Sequence, residues 1–182
     1  LQTLQQCVAI DVVGGSSDAS VVVKDAHGLA AWLRSLHEER SAGSACSRPP
    51  AALLTAGPAA GKTTLLSQVM ALSLDGELVP ILVNVQRLQR RLLDAPGAFA
   101  SAWNWVDAFL ELELGEAPVH YRFLRQAMMA RRALLLLDGL DEGGLKRGEI
   151  EAHVAKVLAP QGHIVFATSR PVPTGTVDLV TT

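Results

Sequence analysis

The chain has 182 residues, 49% hydrophobic, 19% charged and 4% aromatic, with a formal net charge of −2; that suits one domain with a substantial core and gives no general electrostatic reason to expect a nucleic-acid partner. The longest aliphatic run, residues 133–137, is far short of the roughly 20 apolar residues that cross a bilayer, and no charged start followed by an apolar stretch marks a signal peptide. Two cysteines, Cys7 and Cys46, share no metal or redox spacing, so reduced thiols in a cytoplasmic protein without a membrane association are expected.

Two β-branched stretches open the chain, Val8-Ala9-Ile10-Asp11-Val12-Val13 and Val21-Val22-Val23. Gly14-Gly15-Ser16-Ser17-Asp18 between them reads as a turn, which predicts a hairpin. An amphipathic helix follows, with Asp25 at its N-cap and Leu29, Trp32, Leu33 and Leu36 at i, i+3, i+4 and i+7. Residues 41–50 are rich in Ser, Gly and Pro and read as a linker. The expected division is a short strand-and-helix extension over residues 1–49 and a compact domain over residues 50–182. The absence of a starting methionine leads to the expectation of a fragment whose compact domain is truncated at its C-terminus.

Ala51-Ala52-Leu53-Leu54-Thr55-Ala56 reads as a buried strand, and Leu65-Leu66-Ser67-Gln68-Val69-Met70 as part of a helix. Val79-Pro80-Ile81-Leu82-Val83-Asn84-Val85 is a second strand. Residues 86–93 form a basic helix, whose Arg87, Arg90 and Arg91 are read as a solvated face; Asp94-Ala95-Pro96-Gly97 ends it. Phe99, Trp103, Val106 and Leu110 are spaced as the apolar face of the next helix, which assigns Trp103 to core packing rather than adenine stacking. Residues 121–132 form another helix. Ala133-Leu134-Leu135-Leu136-Leu137 predicts a central parallel strand buried on both faces. Ile150, Val154, Val157 and Leu158 mark a helix, His163-Ile164-Val165-Phe166-Ala167-Thr168 a strand, and residues 177–180 the start of a last one. Strands alternating with helices predict an α/β fold, a twisted parallel sheet sandwiched by helices. Ligand then belongs at the carboxyl ends of the strands.

Between the first buried strand and its helix lies Gly57-Pro58-Ala59-Ala60-Gly61-Lys62-Thr63-Thr64, which fits the phosphate-binding pattern G-x-x-x-x-G-K-[ST]. Glycine is needed where backbone N–H groups close on an anion. Lys62 is expected on the β/γ phosphates and the Thr63 hydroxyl on Mg²⁺. A glycine-rich turn capping an ordinary helix would account for the glycines but not for the Lys62–Thr63 pair.

The apolar run at 133–137 leads directly into Asp138-Gly139-Leu140-Asp141-Glu142. A carboxylate at the end of a buried strand is costly without a compensating cation or hydrogen bonds, and Asp138 is expected to hold Mg²⁺, as in the Walker B arrangement. Gly139 lets the chain turn and bring Asp141 and Glu142 towards the γ-phosphate, where one of them can orient or deprotonate water. Gly143-Gly144 is expected to form a mobile loop. Thr168-Ser169-Arg170-Pro171 ends the next strand. Arg170 is expected to read the γ-phosphate, whereas Thr168 and Ser169 are weaker candidates that close the turn. The five histidines have no zinc-ligand spacing, so no metal beyond Mg²⁺ is expected.

Taken together, these three motifs resemble the NACHT family of signal-transducing NTPases, within the STAND group. Like that family, the chain has a small residue after the Mg²⁺ aspartate and an acidic pair shortly beyond, and residues 79–88 resemble its second strand and following segment. The resemblance spans roughly residues 50–172. It implies an additional-strand P-loop fold in which Asp138 serves Walker B, Asp141 and Glu142 serve hydrolysis and Arg170 acts as the sensor. It further implies an ATP/ADP-dependent conformational switch with Mg²⁺-dependent hydrolysis, working with other domains of a parent protein or by self-oligomerisation. A nucleotide-loaded scaffold without significant turnover is the alternative. The guanine-reading N-K-x-D element of Ras-type GTPases is absent, which favours ATP over GTP. In AAA+ ATPases the glutamate typically follows the aspartate directly, whereas Gly139 occupies that place here.

Overall fold

The computed structural model describes residues 10–11, 22–23, 25–42, 51–115 and 117–171. At the N-terminus β1 (Ile10–Asp11) pairs antiparallel with β2 (Val22–Val23), as the two β-branched stretches predict; the turn at 14–18 lies outside the described residues. Helix α1 (Ala26–Ser41) starts where the Asp25 carboxylate accepts a hydrogen bond from the Gly28 N–H at 2.7 Å, which satisfies one of the free donors of the first turn. Leu29, Leu33 and Leu36 are buried and Trp32 half-buried. Most of the expected linker, residues 43–50, lies outside the described residues.

Beyond it the elements run β3 (Ala51–Thr55), α2 (Lys62–Ser73), β4 (Val79–Asn84), α3 (Val85–Asp94), α4 (Pro96–Ala100), α5 (Trp105–Glu113), α6 (Pro118–Met129) and β5 (Ala133–Asp138). A 3-10 helix over Leu140–Lys146, α7 (Arg147–His153), a π-helical turn over Val154–Leu158 and β6 (Ile164–Ser169) complete the described chain. The expected strand at 177–180 lies outside it.

All pairs in the four-stranded sheet are parallel, and its order is β3-β6-β5-β4. The last described strand, β6, is thus inserted between β3 and β5. This is the additional-strand arrangement of the P-loop NTPase fold. Because side chains alternate along a strand, the continuous apolar run of β5 serves two layers. Leu134 and Leu136, with Ile164 and Phe166 of β6, face Leu29, Leu33 and Leu36 of α1 and Leu65, Leu66 and Val69 of α2. Leu135 and Leu137, with Val165 and Ala167, face residues of α3 to α7, among them Leu88, Phe109, Met128 and Ile150. Burying each such side chain contributes about 1.5–3 kcal/mol. The helix of the N-terminal extension therefore packs into the same layer as α2 and is not a detached appendage.

Two expectations are corrected. Trp103 does not lie on a helix: Phe99 belongs to α4, Val106 and Leu110 to α5, and Trp103 sits in the bend between them with 41% of its surface exposed. The cause is local, since the extended Asn104 accepts a hydrogen bond from the Asp107 N–H at 2.8 Å and starts a new helix. Gly143-Gly144 does not form an open loop. Gly143 is buried in a 3-10 turn, where a Cβ on it would come 3.2 Å from that of Arg147, and Gly144, with φ of 52°, kinks the chain between two helical pieces. The basic face of α3 is solvated as expected, the Arg87 and Arg91 side chains being 65% and 42% exposed, and both pair with Glu113 of α5, Arg91 Nε at 2.8 Å.

Candidate nucleotide-binding site

The carboxyl ends of β3, β5 and β6 and the segments that follow them carry the residues expected at phosphate, Mg²⁺ and water, and the neighbouring positions of these strands in the sheet bring distant motifs together. After β3 the parallel ladder runs one residue further, with the Ala56 N–H donating to the Ser169 carbonyl at 3.1 Å. The chain then curls through the loop 57–61. Ala59 and Gly61 adopt left-handed backbone conformations, with φ of 57° and 79°. For alanine that conformation costs about 1–3 kcal/mol, so this turn is held by its surroundings. α2 begins directly after Gly61, and its free N–H groups and dipole are suited to an anion.

Lys62, the first residue of α2, reaches back over the loop, where its ammonium donates to the carbonyls of Ala56 and Gly57 at 2.7 and 2.8 Å. The Thr63 hydroxyl donates to Asp138 Oδ2 at 2.9 Å, tying the glycine-rich loop to the acidic motif. Gly57 and Ala60 are half-buried, and Pro58, Ala59 and Thr64 are exposed around the loop.

The other oxygen of Asp138 is held by a residue that sequence reasoning treated only as a turn former. Leu137 lies opposite Ala167 in the sheet, so the next residues on each strand, Asp138 and Thr168, come side by side. The fully buried Thr168 hydroxyl donates to Asp138 Oδ1 at 3.0 Å and accepts from the Gly139 N–H at 3.1 Å. A polar residue ending an otherwise apolar strand was the available signal. Its partner could not be known without the strand register.

Gly139 turns the chain with φ of 78°, and a Cβ there would lie 3.2 Å from Glu142 Cδ. Glycine is therefore suited to both the conformation and the space. The Glu142 N–H donates to the Gly139 carbonyl at 2.8 Å. Asp141 and Arg170 meet twice: the Arg170 backbone N–H donates to Asp141 Oδ1 at 2.9 Å, and Arg170 Nε lies 3.2 Å from Asp141 Oδ2. Arg170 Nη2 is 3.5 Å from Glu142 Oε1. Lys62, Thr63, Asp138, Asp141, Glu142 and Arg170 thus line one edge of the sheet. Mg²⁺ takes most of its ligands from water and phosphate and needs only one or two protein oxygens, a set that the Thr63 hydroxyl and the Asp138 carboxylate would fit. Among the described residues no group of three or more His, Cys, Asp or Glu side chains could hold a metal.

The two tryptophans proximal to α5 lie elsewhere. Trp103 contacts His163, the residue preceding β6, edge-on at 5.9 Å, which puts it at the amino end of the sheet. Trp105 stacks on His153 at 4.4 Å, and the Trp105 backbone N–H donates to His153 Nε2 at 3.0 Å.

No protein-family model matches the chain, and no curated protein matches it. A solved structure of PCH-2 from C. elegans is similar to it with a TM-score of 0.49 and 13% identity, over 85% of this chain and 38% of that one. The chain spans well under half the length of PCH-2. Strand order and loop geometry identify the P-loop NTPase type of fold independently of that similarity. Among the described residues no helix is long and apolar enough to cross a membrane.

Proposed function

We propose that this chain is the ATP-binding part of a NACHT-type conformational switch, loaded with Mg²⁺ and reset by slow hydrolysis. The observation that carries the reading is the Thr63–Asp138 hydrogen bond, which joins the phosphate-binding pattern to the acidic strand end at one sheet edge. In this reading residues 57–64 cradle the phosphates through backbone N–H groups, Lys62 neutralises the β/γ phosphates, and Thr63 and Asp138 hold Mg²⁺. The bound metal neutralises charge on the phosphates. Water attacks the γ-phosphorus in line, the bond to the ADP oxygen breaks, and Asp141 or Glu142 orients the water or takes its proton. Such a base contributes about 10² to 10⁴ in rate. Arg170 reads the γ-phosphate and separates triphosphate from diphosphate. Other domains of a parent protein, or further copies of the chain, would receive the switch in the cytoplasm.

Calorimetry with ATP–Mg²⁺ and a phosphate-release assay test the reading together. Saturable binding, with release abolished by Glu142→Gln or Asp141→Asn, supports the enzyme. Binding with a negligible rate that neither variant changes supports the nucleotide-loaded scaffold instead. An absence of binding at millimolar nucleotide contradicts both.

A further inference from the structure

The acidic pair is not a pair of equivalents. Both oxygens of Asp141 are committed to Arg170, one to its backbone N–H at 2.9 Å and the other to Nε at 3.2 Å, and only 14% of the Asp141 side chain is exposed. Glu142 is 38% exposed and meets Arg170 at 3.5 Å, beyond a good hydrogen bond. Its stem lies over Gly139. We infer that Asp141 is a positioning residue that aims Arg170 at the terminal phosphate, and that Glu142 alone is left to act on water.

The geometry of a guanidinium carries the inference. Arginine presents its donors in a rigid planar fork, with one edge formed by Nε and an Nη and the other by the two Nη nitrogens. A carboxylate on Nε fixes the plane of the group and leaves the Nη edge, which Glu142 approaches only to 3.5 Å and with 54% of the side chain exposed, for a phosphate. The second contact, to the backbone of the same residue, anchors the point from which the side chain departs. A carboxylate occupied on both oxygens is poorly placed to accept a proton from water as well.

This inference rests on the nucleotide-binding reading, and ATP and ADP affinities measured by calorimetry separate their failures. Asp141→Asn keeps the size but can accept only one of the two hydrogen bonds. It is expected to lower the preference for ATP over ADP about tenfold or more, the scale of a lost hydrogen bond to a charged group. Arg170→Ala should lower it to the same degree, and the double variant no further. Glu142→Gln should leave that preference intact while phosphate release falls. Asp141→Glu, which keeps the charge but shifts it by one methylene, replaces Asp141→Asn if the latter does not fold, and is expected to lower the preference in the same sense. An Asp141 variant that loses turnover with the ATP/ADP preference of the wild type, or that changes neither, overturns the inference while leaving nucleotide binding intact. A wild-type chain that binds no ATP–Mg²⁺ overturns both.

Discussion

The two ends of β5 and β6 treat polar side chains in opposite ways. At the carboxyl end Asp138 has a hydroxyl on each oxygen, from Thr63 and Thr168, and Asp141 is satisfied by Arg170. Partners there come from distant segments, and the side chains face solvent or line a shared edge. At the amino end His163 is fully buried, and among the described residues neither ring nitrogen has a hydrogen-bond partner. Burial holds its pKa down from the ordinary 6.5 to about 4, with help from the Arg40 and Arg131 charges. One end gives Asp138 and Asp141 hydrogen-bond donors; the other keeps a titratable group neutral by excluding water. Only the first arrangement is suited to meeting a charged ligand.

The largest expected effect tests what the two ends share. Phe166 lies midway along β6 and is fully buried against α1 and α2, so Phe166→Ala should cost about 3–5 kcal/mol in urea unfolding. A cost below about 1 kcal/mol would mean that the layer is not packed as described. Thr168→Val then isolates the carboxyl end. It keeps the shape but leaves the Gly139 N–H without its acceptor, a penalty of about 1–3 kcal/mol by the same measurement. A neutral outcome would remove Thr168 from the support of Asp138.

Acidification isolates the amino end. His153 is also held down to about 4 by burial, and its Nε2 can accept the Trp105 backbone N–H only while unprotonated. Above pH 6.5 both histidines are neutral in either state and their contribution is complete. Between 6.5 and about 4 the unfolded chain takes up protons that the folded chain refuses, so stability falls with pH, by at most about 1.4 kcal/mol per unit for each histidine. Below about 4 that loss is complete. Urea midpoints compared between pH 7 and 5 should show the decline, and His163→Phe should lessen it, leaving the share of His153. An unchanged slope in that variant would place the acid sensitivity elsewhere.

The parts of the fold that were legible in the sequence depend on local pattern. The spacing in 57–64, the unbroken apolar run of β5 and the Asp25 cap can each be read without knowing what lies opposite. The Thr168 contacts could not, because they arise only when β6 is inserted beside β5 and the register sets Asp138 against it. Trp103 was misread for a different reason: a helical spacing of apolar residues continued across Asn104, whose side chain favours a cap over the helix interior. For Arg170 the correct edge was legible, but its engagement with Asp141 depends on the turn at Gly139.

The central claim is that the edge built around Lys62, Thr63 and Asp138 binds a nucleoside triphosphate with Mg²⁺. Thermal unfolding of the wild-type chain and of Lys62→Ala, each with and without ATP–Mg²⁺, tests it most directly. Nucleotide at a hundred times its dissociation constant should stabilise the wild type by about 2.7 kcal/mol and leave Lys62→Ala unshifted. No shift in the wild type, or the same shift in both, would contradict the claim.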